Sequence, residues 1–256
     1  MTITTQTTAP KRVPTDTLRK TAFVAGALYL ITFATSIPAR LLYGPVRNDP
    51  NYILGPGADG QVLFAGFLDV VLALACIGTA VALYPVVKRQ NEGVALGFVG
   101  ARVLEAAIIV TGVVSLLSVV TLRQAGAGAD ALITGQALLA MYDWTFLFGP
   151  GFMAAVNAVL LGSLMYRSGL VPRIIPLVGL IGAPLLLASD MAIMFGLWEQ
   201  FSLPAGIATL PVALWEFSLG VYLVVKGFKP SPITAGMTAS STGPAYQDAA
   251  LPSAPG

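Results

Sequence analysis

The chain has no histidine and a single cysteine, Cys76. Without histidine it lacks the commonest metal ligand and the side chain that most often serves as a general base near neutral pH. With one thiol it has no internal disulfide and no thiolate metal cluster. Cys76 sits within an apolar stretch and reads as a small buried hydrophobe. No nucleophile motif stands out, so the sequence points to no catalytic residue, no metal site and no cofactor. Charge is scarce as well. Asp, Glu, Lys and Arg make up 10% of the residues, against roughly 25% in a soluble globular domain. The net charge is only +2 and the basic residues are scattered, which leaves no electrostatic footprint for nucleic acid.

Apolar side chains take the place of the missing charge. Hydrophobic residues make up 56% of the 256, and the mean hydropathy is +0.80. This predicts an all-α polytopic membrane protein, a bundle of six transmembrane helices whose first partner is the lipid bilayer. The apolar runs fall at residues 21–43, 61–86, 94–122, 136–166, 174–197 and 206–226. Each is long enough to cross about 30 Å of hydrocarbon. The predicted organisation is a disordered tail over residues 1–17, the six-helix domain over 18–229 and a second disordered tail over 230–256. Lys11, Arg12, Arg19 and Lys20 precede the first run as in a signal peptide. That run is long and has no small-x-small cleavage site, which favours a retained span. The loop 44–60, with its Gly-Pro and Asp-Pro pairs, reads as an ordered turn region.

Basic residues at the run ends predict orientation. Lys11, Arg12, Arg19, Lys20, Lys88, Arg89, Arg167, Arg173, Lys226 and Lys229 fall on one side, and Arg40, Arg47 and Arg123 on the other. Ten against three predicts a cell-membrane protein with both termini cytoplasmic.

Arg102 and Glu105 interrupt the third run, three residues apart and so on one helical face. Charge in hydrocarbon is costly and turns towards protein or water. Runs two, four, five and six carry Asp69, Asp143, Asp190 and Glu216. At about 1.5 Å of rise per residue, Asp69, Asp143 and Asp190 lie roughly 10–12 Å below the outer edge, and Glu105 and Glu216 roughly 14–16 Å. All five acids are therefore expected in one layer about 5 Å thick, with Arg102 about one turn deeper as its one fixed cation. That arrangement predicts an acidic, wet pocket formed by Arg102, Glu105, Asp69, Glu216, Asp143 and Asp190, suited to a small polar or cationic ligand or to protons. The alternative is a non-enzymatic sensor, scaffold or accessory subunit in which the buried charges only hold helices together. An intramembrane enzyme with a carboxylate as acid or base ranks behind both, for want of a nucleophile.

Two further features concern the backbone. Gly149-Pro150-Gly151 in the middle of the fourth run predicts a break or kink, of the kind that marks binding sites in transporters. Small residues (Gly66 and Ala73, Gly97 and Gly100, Gly151 and Ala155, Gly179 with Gly182 and Ala183) predict close helix packing.

Three stretches carry a resemblance. Ala25-Gly26-Ala27-Leu28-Tyr29-Leu30-Ile31-Thr32-Phe33, Arg102-x-x-Glu105-Ala106, and Leu214-Trp215-Glu216-Phe217-Ser218-Leu219-Gly220 running to Lys226-Gly227-Phe228 resemble a bacterial six-span membrane family, domain of unknown function 4386. The likeness covers about residues 18–229. It implies a helical integral membrane protein and brings no activity, substrate or site residue with it.

Overall fold

The computed structural model describes residues 15–55 and 57–238. The remainder of both expected tails, 1–14 and 239–256, lies outside the described residues. In chain order the helices are α1 (Thr15–Leu42), α2 (Gly44–Asn48), α3 (Asp59–Val87), α4 (Glu92–Gln124), α5 (Leu132–Phe146), α6 (Ala154–Ser168), α7 (Ile174–Met194), α8 (Leu203–Val225) and α9 (Pro232–Thr238). A 3₁₀ turn, Gly128–Ala131, leads into α5, and a π-helical stretch, Leu147–Met153, joins α5 to α6. Among the described residues six units are long and apolar enough to cross a membrane: α1, α3, α4, the composite Gly128–Ser168, α7 and α8. This is the predicted all-α bundle, with the spans in the predicted order.

The spans form a closed ring. Each packs on the next in sequence, α1 on α3, α3 on α4, α4 on α5 and α6, α6 on α7 and α7 on α8, and α8 returns to α1. The closing seam depends on glycine. A Cβ on Gly26 would lie 2.7 Å from the Gly220 carbonyl oxygen and 2.8 Å from the Val224 nitrogen, both main-chain atoms. Gly179 makes a similar approach on the α7–α8 side, where a Cβ would come within 2.5 Å of the Trp215 ring. Such contacts let helix backbones meet without a hydrophobic drive between them. Gly100 has no such role, since a Cβ there meets nothing within 4 Å. The perimeter carries large exposed apolar side chains, among them Leu74, Leu104, Ile181 and Leu214, as a surface solvated by lipid should.

The interior has two filled ends. At the proximal end, where the first and last described residues lie, Tyr29, Leu83, Phe98, Met165, Trp215 and Leu219 pack as one core. There Arg19 donates to the carbonyls of Leu223 (3.1 Å) and Val224 (2.8 Å), which end α8. A cation at that position also complements the helix dipole. The main-chain N–H of Lys229 donates to the Leu170 carbonyl at 2.7 Å, and Thr234 is buried. The chain is therefore folded against the α6–α7 turn as far as α9, where the composition predicts a disordered tail from residue 230. Likewise α1 begins at Thr15, inside the tail expected over 1–17.

At the distal end the loop between α1 and α3 folds inward as an ordered cap. Tyr43, Val46, Tyr52 and Ile53 are buried against α3, α4 and α5. Arg123 Nε donates to Asp59 at 2.7 Å and its Nη1 to the Gly55 carbonyl at 2.8 Å, while the Tyr52 hydroxyl donates to Asp59 at 2.8 Å. Burial pushes the Tyr52 and Tyr43 phenols above their ordinary range, so both stay neutral.

Candidate functional site

Between these two filled ends lies Arg102, 2% exposed on α4. Its Nη1 donates to Glu105 Oε2 at 2.9 Å, one turn along the same helix, and contacts Cys76 Sγ of α3 at 3.7 Å. Its Nη2 donates to Glu216 Oε1 of α8 at 2.6 Å and to the Tyr29 hydroxyl of α1 at 3.1 Å. Asn157 Nδ2 of α6 donates to Glu105 Oε2 at 2.7 Å. The guanidinium also lies 5.1 Å from the centroid of the Tyr29 ring. One planar fork thus ties α1, α3, α4 and α8 together directly and α6 through Glu105. Lysine, a single point charge, would not span the same partners. The group holds one fixed positive charge and two carboxylates.

On the distal side of this cluster the ring encloses a cavity of about 390 Å³. At roughly 30 Å³ per molecule that is room for about a dozen waters, or for one small organic solute. Its walls are mainly apolar, with Phe33, Leu72, Ile109, Phe146, Leu186 and Val212. Arg102, Glu105 and Glu216 form one end, while Asp69, Arg40 and Tyr142 line it further out. Asp69 is 9% exposed. No Arg or Lys among the described residues comes within ion-pair distance of it. Tyr43 and Tyr142 flank it, with their rings packed edge to face at 5.5 Å.

The structure thus brings Arg102, Glu105, Glu216 and Asp69 to one cavity. Asp143 and Asp190 do not join them. Asp143 is 49% exposed at its side chain and pairs with Arg47 at 3.0 Å on the distal rim. Asp190 is 4% exposed and faces the π-helical stretch, where a Cβ on Gly151 would lie 2.9 Å from its Oδ2, an oxygen without a hydrogen-bond partner among the described residues. Depth along a helix fixes the level of a residue but not its bearing, which turns by about 100° with each residue. All the acids had plausible depths, and bearing excludes these two from the cavity.

Nor is Arg102 the one cation near the layer. Arg40 lines the cavity and stacks 3.6 Å over the Phe201 ring, and Arg47 lies 4.6 Å from the same ring. A sequence signal for the inward position of Arg40 does exist. Tyr29, Thr32, Ser36 and Arg40 recur at helical spacing along a single polar stripe of α1. Thr32, Ser36 and Arg40 line the cavity and Tyr29 reaches Arg102. Arg40 also lies at the end of its run, where a basic residue reads first as an orientation signal.

The Gly149-Pro150-Gly151 triplet does not break the span. The helix widens to a π turn and continues into α6. This accommodates the missing proline N–H and places Pro150 on the cavity wall and Gly151 against Asp190. Chemically the cavity offers carboxylates, hydroxyls and a guanidinium. Among the described residues no three of His, Cys, Asp and Glu gather as a metal cage.

No curated protein and no solved structure matches the chain. A match to the family described as Domain of unknown function (DUF4386) runs over residues 24–227, from the α1 segment ahead of Tyr29 to just past α8. It takes in every side chain that meets at Arg102, and the chain belongs to that family.

Proposed function

We propose that this multi-pass membrane protein binds a small polar or cationic solute in the central cavity and carries it, with Asp69 and Glu216 supplying the negative charge that holds it. The observation that supports this most is Asp69, a buried carboxylate on a cavity wall with no cation at ion-pair distance among the described residues. A monovalent cation about 4 Å from a carboxylate gains roughly 4 kcal/mol at an effective dielectric near 20, before the cost of its own dehydration. That corresponds to binding near 1 mM or weaker from this contact alone. Weak binding suits a carrier, which must release what it takes up. With the termini cytoplasmic, as the basic residues favour, the cavity sits in the outer half of the cell membrane.

A second reading has its own observation. Arg102 has two carboxylates, a phenol and a thiol as partners, which suits helix-holding in a non-enzymatic sensor or scaffold. The two readings divide the polar centre between them, with Arg102 and Glu105 holding helices and Asp69 and the exposed side of Glu216 facing the solute. The test is flux into sealed vesicles. Reconstituted protein should give saturable uptake of tetramethylammonium above that of protein-free vesicles, reduced at least about ten-fold in Glu216→Gln. No binding and no flux of this cation or of a panel of small polar solutes would leave the scaffold reading standing.

A further inference from the structure

The cavity is not walled equally on all sides. Of the residues lining it, Ile37, Leu41 and Thr209 are exposed on the outside of the bundle. Ile37 and Leu41 belong to α1 and Thr209 to α8, so the exposed rim lies on one seam. Ile37 is 58% and Leu41 74% exposed. In the proximal half that seam is shut by the Gly26–Gly220 approach, and further out by the edge-to-face contact of Phe33 with Phe217 at 5.5 Å. Beyond Phe33 the lining residues of this seam are exposed, Ile37 and Leu41 on α1 and Thr209 on α8, which marks a gap between the two helices there. Thr209 is six residues into α8 and Leu41 is next to the last residue of α1. At about 1.5 Å per residue, the gap runs from the distal ends of these helices to roughly 9 Å along them.

The route from distal water passes a set of stacked and paired side chains. Phe201 lies over Arg40 and near Arg47, Arg47 pairs with Asp143, and Gln200 Nε2 donates to the Asp143 carbonyl at 3.3 Å. The chain between α1 and α3 folds inward beside this lid. The opening thus faces lipid, at the depth where amphipathic molecules place the join between head and tail. Inside, the apolar walls and the carboxylate of Asp69, which forms no ion pair among the described residues, present the two surfaces such a molecule needs.

We infer that the cavity takes a single-chain amphipathic cation directly from the surrounding lipid, through the gap between the distal halves of α1 and α8. The inference rests on the cation-binding reading above and adds the apolar tail and the path. The ammonium head reaches Asp69 and Glu216, and the tail lies along Phe33, Ile37 and Val212. Arg40 beside the rim sets the opposing expectation, since an anionic head would pair with it.

The test uses the full-length protein in lipid nanodiscs, with empty nanodiscs as the partition blank. Three probes are compared: octyltrimethylammonium, tetramethylammonium and octyl sulfate. Octyltrimethylammonium should bind at least about ten-fold more tightly than tetramethylammonium, and octyl sulfate should show no binding above the blank. Ile37→Trp and Thr209→Trp place bulk on an exposed rim, where folding tolerates it. Each should slow association of octyltrimethylammonium by about ten-fold in stopped flow while leaving the melting temperature unchanged. If both cations bind equally, the cavity still takes cations and the amphipathic ligand is refuted. If the tailed cation binds but both tryptophan variants associate at the wild-type rate, the lateral path is refuted. If neither cation binds, or if octyl sulfate binds as tightly, the cation-binding reading falls and this inference with it.

Discussion

Replacing Arg102 by methionine is expected to destabilise the folded protein by about 3–5 kcal/mol, the usual cost of removing one partner from a buried ion pair. Methionine fills much of the space but donates nothing. Glu105 and Glu216, held at 2.9 and 2.6 Å in the native protein, would lose their countercharge, and among the described residues Glu105 would keep Asn157 as its one side-chain partner. The Tyr29 hydroxyl would lose its partner as well. Two carboxylates close together in low dielectric are the costly part, so the loss should be largely reversible. The triple variant Arg102→Met/Glu105→Gln/Glu216→Gln should recover most of the stability, because neutral amides bury far more cheaply than charge. Denaturant titration in mild detergent, followed by tryptophan emission, reads both. Wild-type stability in Arg102→Met, or a triple variant as weak as the single, would show that the cluster does not act as a charge hub.

The second large effect is steric. Gly26→Leu should cost about 3 kcal/mol or more, at the upper end for overpacking a well-packed interior. The atoms its Cβ would strike, the Gly220 carbonyl oxygen at 2.7 Å and the Val224 nitrogen at 2.8 Å, are main chain and cannot rotate away. The helices themselves must separate. Tyr29 and Glu216 lie one turn from this crossing on α1 and α8, so the separation would also pull two partners away from Arg102. Gly100→Leu is the control. It adds the same side chain where a Cβ meets nothing within 4 Å, and its effect should stay within about 0.5 kcal/mol. Thermal unfolding of the two variants side by side decides the point, and equal losses would contradict the seam as described.

The bundle was legible because the lipid solvent leaves few solutions. With charge so sparse, apolar runs had to be helices satisfying their own backbone, and their number and order followed. The meeting of Arg102 with Glu105 was legible from spacing, and that with Glu216 from depth. Asp143 and Asp190 were not, because rotation about the helix axis depends on packing partners that depth arithmetic does not contain. The π turn hid for a related reason. Gly-Pro-Gly signals that regular α geometry fails locally, but whether the chain breaks or widens depends on what packs beside it, here Asp190 on α7. The polar stripe of α1, from Tyr29 to Arg40, was present in the sequence and obscured by counting Arg40 only among the basic residues at the run ends. The ordered segment from Lys229 to Thr234 runs against its own composition. Tertiary contacts with Leu170 and Ser168 hold it, and local sequence shows none of them.

On the proposed division of the polar centre, Arg102 holds helices and Asp69 holds solute. Calorimetric titration of tetramethylammonium into purified wild-type protein and Asp69→Asn, with melting temperatures taken on the same samples, tests that division most directly. Asp69→Asn is expected to lose binding by at least about ten-fold while its melting temperature stays near wild type. Unchanged binding, or a loss of stability as deep as that of Arg102→Met, would contradict it.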